Sequence, residues 1–127
     1  MKKLILYIFL VLMWFNVGFA EWTKIGKTVD NDTYYVDFQN INIDGKFIYY
    51  WELMDYGKAN KEGDLSHKIY FILDCNTYLT KPLQFIFYKG RKGSGELDSQ
   101  KSLINEWTGL PPDSVGFIAA QKLCKNI

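Results

Sequence analysis

A chain of 127 residues with 15 basic and 14 acidic side chains carries a formal net charge of +1. That balance gives no overall attraction for nucleic acid or an acidic membrane, and the length suits one domain. One histidine and two cysteines are too few for an ordinary zinc site, and no calcium-loop spacing is present, so no metal or other cofactor is expected.

The first element is a leader. Lys2 and Lys3 precede an unbroken apolar run from Leu4 to Phe15, and Gly18-Phe19-Ala20 is a small-x-small pattern. This predicts a secretory signal peptide over 1–20, cut before Glu21, with 21–127 as a single domain. The run is short for a membrane-spanning helix, which needs about 20 residues. No stable span is expected after cleavage, and no cysteine near the cut offers a site for lipid attachment. Loss of Lys2 and Lys3 would change the net charge from +1 to −1.

Beyond the leader, alternation predicts a strand over 21–28 and a second over 33–38, with a polar turn between them. Asn31-Asp32-Thr33 is a glycosylation sequon by pattern, but a turn accounts for it. Asp44-Gly45 signals a hairpin. The strand over 47–56 is apolar or aromatic on both faces, which predicts a central position. A polar loop follows at 57–66. The strand over 66–75 points Ile69, Phe71, Leu73 and Cys75 to the core, and that over 82–90 points Leu83, Phe85 and Phe87 the same way. Residues 89–100 are expected to form a Gly-rich, charged hairpin or loop. After Pro111-Pro112, Asp113 or Ser114 caps a helix running to about Lys125, with Phe117, Ala120, Gln121 and Cys124 on one side. The fold class expected is α+β: an antiparallel sheet of about five to six strands with a C-terminal helix packed on it.

Cys75 and Cys124 admit two readings, a staple or a reactive thiol. In an exported small domain an even pair is most simply a disulfide, and nothing places His67 beside either cysteine as a base. Gly90, Gly93 and Gly95 fit neither a dinucleotide fingerprint nor a Walker loop. Glu52 and Asp74 are titratable, but nothing brings them within reach of each other. No catalytic residue is therefore assigned. The aromatic load exceeds what one core needs. Tyr35, Tyr50 and Tyr70 are expected to face outward as a recognition surface, because such rings add large contact area at low entropic cost. Arg91 and Lys92, on an exposed basic tip with Lys89, would touch an acidic partner.

Four segments, "YYVDFQNI" (34–41), "YYWELMDY" (49–56), "SHKIYFILDC" (66–75) and "PPDSVGFIAAQKLC" (111–124), resemble the bacterial surface-adhesin protein E family. Tyr35, Asp37, Ile41, Trp51, Leu53, Asp55, Tyr56, Ser66, Asp74, Cys75 and Cys124 match its pattern in order. The resemblance implies a sheet tied to a C-terminal helix by the disulfide, in an envelope protein of a Gram-negative bacterium. In adhesin members it implies binding of host matrix proteins such as vitronectin and laminin. The expected function is a non-enzymatic binding module, in the periplasm or at the cell surface, with a host or envelope protein as partner. The alternative is a periplasmic inhibitor or accessory factor acting on an envelope enzyme, an inhibitor working through loop 57–65 or 89–100. An aromatic edge strand would support a dimer.

Overall fold

The computed structural model describes residues 20–125 and 127. The expected leader lies outside the described residues except for Ala20. The strands are β1 (Trp22–Lys27), β2 (Thr33–Asp37), β3 (Asn42–Asp44), β4 (Phe47–Asp55), β5 (Ser66–Asp74), β6 (Leu79–Tyr88), β7 (Leu97–Lys101) and β8 (Thr108–Gly109), and the helix is α1 (Val115–Cys124). All strand pairings are antiparallel, in one eight-stranded sheet ordered β1-β2-β4-β5-β6-β7. The short β3 pairs with β4 beside β2, and β8 pairs with β6 beside β7. Among the described residues, no helix is long and apolar enough to cross a membrane.

The central position expected for 47–56 is observed. The Asp44–Phe47 pair closes the expected hairpin, and Gly45 takes φ +59° there, a conformation that glycine adopts without strain. The sheet holds more strands than five or six. β3, β7 and β8 have few alternating apolar residues, and every residue in them is exposed. β6 also begins earlier than expected and passes through Pro82. The register against β5 shifts there, leaving Leu83 as an extra residue opposite the Tyr70–Phe71 step. On the outer edge, β8 pairs with Leu79 and Thr80 and β7 with Gln84 to Tyr88. Pro82 falls in the gap between them, where it need not donate to a neighbouring strand.

Directly paired residues on adjacent strands share a face of the sheet. One face carries Tyr34 and Val36 of β2, Ile48 and Tyr50 of β4, and Leu73 of β5. These close over Ala119, Ala120 and Leu123 of α1 to form the buried core. The helix side predicted from Phe117, Ala120, Gln121 and Cys124 is rotated, because Gln121 is exposed and Ala119 is buried. Small residues at 119 and 120 let the helix lie close to the sheet. Ser114 is the N-cap, its Oγ accepting from Phe117 N at 3.1 Å. Cys75 and Cys124 are joined as a disulfide, Cα atoms 5.6 Å apart, which ties the last turn of α1 to the end of β5.

Candidate functional site: the open face of the sheet

The face opposite α1 is covered by no helix among the described residues, and residues 90–95 lie over one end of it. Register assigns its members. Tyr35, Leu53, Lys68 and Ile86 form one row across β2, β4, β5 and β6, Trp51, Tyr70 and Gln84 the next, and Tyr49, Ile72 and Lys81 the third. The rings interlock: Trp51 and Tyr70 centroids are 4.9 Å apart, Tyr49 and Tyr70 6.2 Å, and Phe47 and Trp107 5.9 Å. Cations lie over these rings. Lys68 Nζ is 5.0 Å from the Tyr88 centroid and 5.5 Å from that of Trp22. Lys92 lies 5.4 Å above Tyr35 and Lys81 5.2 Å above Trp107. Each such contact contributes about 0.5–2 kcal/mol depending on how dry it is. The result is a positively charged, aromatic surface of half-exposed side chains.

Residues 90–95 fold back over one end of this face and are held there. Ser66 Oγ donates to Gly90 O at 2.7 Å and accepts from Gly93 N at 2.9 Å. Asp55 accepts from Lys92 N at 2.8 Å, and Arg91 Nη1 donates to Tyr56 O at 2.6 Å while pairing with Asp55 at 3.3 Å. The segment is therefore a clasp rather than a free tip, and Leu53 beneath it is fully buried. Across β1, β2, β4, β5 and β6 on this face lies a concavity of about 210 Å³ bounded by Ala20, Trp22, Asp37, Trp51, Lys68, Ile86 and Tyr88.

Of the expected recognition residues, Tyr35 and Tyr70 lie on the open face, half-buried. Tyr50 does not. It is 1% exposed, stacked on Phe71 at 5.7 Å and packed in the core beneath α1. The physical reason is parity, since position 50 alternates with Trp51 and takes the face that α1 covers. Arg91 and Lys92 are exposed but are committed to the clasp. Sequence reasoning did not single out Trp22, Lys68 and Tyr88. Their signal is only the β4–β5–β6 register, which a single sequence does not give.

Glu52 and Asp74 are separated by the sheet. Glu52 lies on the covered face, where Tyr34 Oη donates to its Oε2 at 2.8 Å and His67 Nε2 stands 3.4 Å from its Oε1. The Tyr56 hydroxyl in turn meets His67 Nδ1. Burial, reinforced by the Glu52 carboxylate, raises the Tyr34 pKa well above its usual value and keeps that hydroxyl a donor. Burial and the carboxylates of Asp64, Asp32, Glu52 and Glu62 push Tyr56 up to about 12. The set contains no serine, threonine or cysteine nucleophile. It works as a polar strut linking β2, β4 and β5.

Asp74 faces the other way. Burial opposes its charge, but the Asn76 backbone N–H and the Lys46 ammonium at 3.3 Å outweigh burial and hold its carboxyl below the ordinary value. Asp64 is likewise lowered, first by its hydrogen bond to Lys89 and then by Asn60, against burial. Depressed carboxyl pKa values stabilise the fold above the unfolded-state value of about 4, and that contribution is lost as pH falls through the lower folded-state values. The urea midpoint should therefore fall on going from pH 7 to pH 3. Asp74→Asn should start from a lower midpoint at pH 7 and lose less on acidification. Equal acid losses in the two proteins would show that Asp74 carries none of the effect.

Residues 22–125 match the family model of the surface-adhesin protein E. The chain belongs to that family. No curated protein sequence matches at a significant level. Among solved structures, crystal form II of Haemophilus influenzae protein E is similar with a TM-score of 0.68 and 24% identity, over 83% of this chain and 87% of that one. Protein E from non-typeable Haemophilus influenzae gives a TM-score of 0.63 at 24% identity, over 83% and 76% of the two chains. At that identity the likeness establishes the fold. The residues that carry the family resemblance are mostly structural here. Asp37 accepts from Gln39 N and Asn40 Nδ2 to shape the turn after β2, Asp55 and Ser66 hold the clasp, and Asp74 shapes the turn that carries Cys75.

Proposed function

We propose that this chain is an exported binding module of the bacterial envelope, displayed at the cell surface, that adheres to a host matrix protein through the open face of its sheet. The observation that carries the reading is the asymmetry of the two faces. One is closed by α1 and a disulfide, whereas the other presents Trp51, Tyr70, Tyr49 and Tyr35, half-exposed and interleaved with lysines. Aromatic rings on a rigid sheet are the side chains that dominate protein recognition. Membership of an adhesin family supports a protein partner over a small substrate, and the leader expected over 1–20 supports export. The module acts by binding and carries out no reaction.

Two measurements test this. Protease shaving of intact cells should remove the protein, whereas protection until the outer membrane is opened would place it in the periplasm and sink the adhesion reading. A Trp51→Ala/Tyr70→Ser variant should lose at least tenfold in affinity for immobilised matrix protein by surface plasmon resonance, about 1.4 kcal/mol or more, while remaining folded at the assay temperature with a lowered melting temperature. Unchanged affinity would remove the open face from recognition.

A further inference from the structure

Among the described residues, Lys68, Lys81 and Lys92 lie over rings of the open face without an ion pair, and of these three Lys68 alone sits over two rings. Lys46 pairs with Asp74, Lys89 with Asp64 and Arg91 with Asp55. Among the described residues, no carboxylate stands within ion-pair distance of Lys68. Its ammonium lies instead between the Trp22 and Tyr88 rings, at the wall of the concavity of about 210 Å³. Its position is fixed by the clasp. A Cβ at position 93 would come within 2.6 Å of Lys68 Cε, so the clasp runs against the lysine stem with only a glycine between. Asp37 also lines the concavity, but it is buried, outside ion-pair distance of Lys68, and each of its oxygens accepts a hydrogen bond, from Gln39 N at 3.1 Å and Asn40 Nδ2 at 2.8 Å.

An ammonium has three N–H donors, and ring faces satisfy its charge without giving those donors an oxygen. A carboxylate entering beside Trp51 and Ile86 would accept from Lys68 in a partly dehydrated setting, where a charge-assisted bond is stronger than in water. Lys92, over Tyr35 on the same face, adds to the positive potential. Ala20, which cleavage before Glu21 would remove, forms part of one wall; Trp22, Trp51, Lys68, Ile86 and Tyr88 remain, and the concavity of about 210 Å³ is smaller than the roughly 300–1,000 Å³ of small-molecule sites, so it suits one side chain. We propose that the Lys68 cradle is a binding site for the carboxylate of an acidic side chain, glutamate above all, on the protein partner. This deepens the open-face reading and rests on it.

The test uses the chain as exporting cells process it, with N-acetylglutamate amide as probe and N-acetylglutamine amide as control, followed through the tryptophan indole N–H resonances. The glutamate probe should shift Trp22 and Trp51 saturably and leave Trp107 still, and added salt should weaken the response. The glutamine probe should bind at least tenfold more weakly. Lys68→Met should abolish the response and Lys68→Arg should keep it, with Lys68→Gln as a second neutral variant should the Met variant misfold. Equal response to glutamine, or a full response in a folded neutral variant, overturns the site. An equal response to sodium sulfate makes it a general anion cradle and overturns the assignment to a carboxylate side chain. If Lys68→Met keeps full affinity for a matrix protein that Trp51→Ala/Tyr70→Ser loses, this inference fails while the open-face reading stands. If neither variant loses affinity, the open-face reading itself fails.

Discussion

Replacing Cys75 and Cys124 together with alanine is expected to lower the unfolding free energy by about 4 kcal/mol and the melting temperature by roughly 15 °C or more. The figure follows from the sequence separation of 49 residues that the bond closes. Cross-linking positions that far apart removes a large part of the unfolded chain's freedom. The bond also acts where the fold has little else, because α1 is a single helix of ten residues. Its fully buried residues are Ala119, Ala120 and Leu123, two of which offer only a methyl group, with Val115 and Phe117 packed at the margin. A domain of this size has a total stability of about 5–15 kcal/mol, so the change is a large fraction of it. Urea unfolding of the oxidised parent and the double-alanine variant measures the difference. A variant within 1 kcal/mol of the parent would show that packing of α1 alone holds the C-terminus.

Tyr50→Ser should cost roughly 3–5 kcal/mol, the range for removing a large buried ring, whereas Tyr70→Ser should cost about 1 kcal/mol. Both are tyrosines on neighbouring strands. They differ in that Tyr50 fills the space between the sheet and α1, packed with Ile48, Leu73 and Leu123, and Tyr70 lies half-exposed among Trp51 and Tyr49. The hydroxyl of Tyr50 adds to the cost, since it sits beside Tyr34 and Glu52 where burial raises its pKa far above the usual value. A cavity left there also unsupports the Tyr34–Glu52 bond. A binding assay on Tyr50→Ser would therefore report unfolding rather than recognition, and denaturation curves for both variants separate the two effects. A Tyr50→Ser protein as stable as Tyr70→Ser would return Tyr50 to the outer surface.

Much of this architecture was legible in the sequence because it rests on alternation. The strands over 33–37, 47–55 and 66–74 carry bulky residues on alternate positions, that over 22–27 shows only a weak alternation, and Pro111-Pro112 with Ser114 marks the helix start. β7 was hidden because Leu97-Asp98-Ser99-Gln100-Lys101 pairs through its backbone and one exposed Gln84–Ser99 side-chain bond, with no buried side chain to impose a pattern. The misplacement of Tyr50 has a related cause. β4 is aromatic on both faces, so alternation sorts its residues into two sets without saying which set meets α1. The Glu52–His67 contact was invisible for a third reason. It depends on the antiparallel register that sets Met54 opposite His67 and Ile69 opposite Glu52, and register is a property of two strands together. The Lys68 cradle needs three strands and the clasp in register, further still from what one linear pattern contains.

The sheet's two outermost strands have a further consequence. β1 is broken by an irregularity between Lys24 and Gly26 and carries Lys24 and Lys27. β7 is five residues long and carries Asp98 and Lys101. On β6, Pro82 and the extra Leu83 interrupt the ladder between its two short partners. A long, flat, uncharged edge would recruit strands from neighbouring molecules and seed fibrous aggregates. Here a kink, a charge or a proline meets an incoming strand within a few residues at each margin. A protein with many half-exposed rings can thus be kept at high local concentration without its margins stitching one molecule to the next.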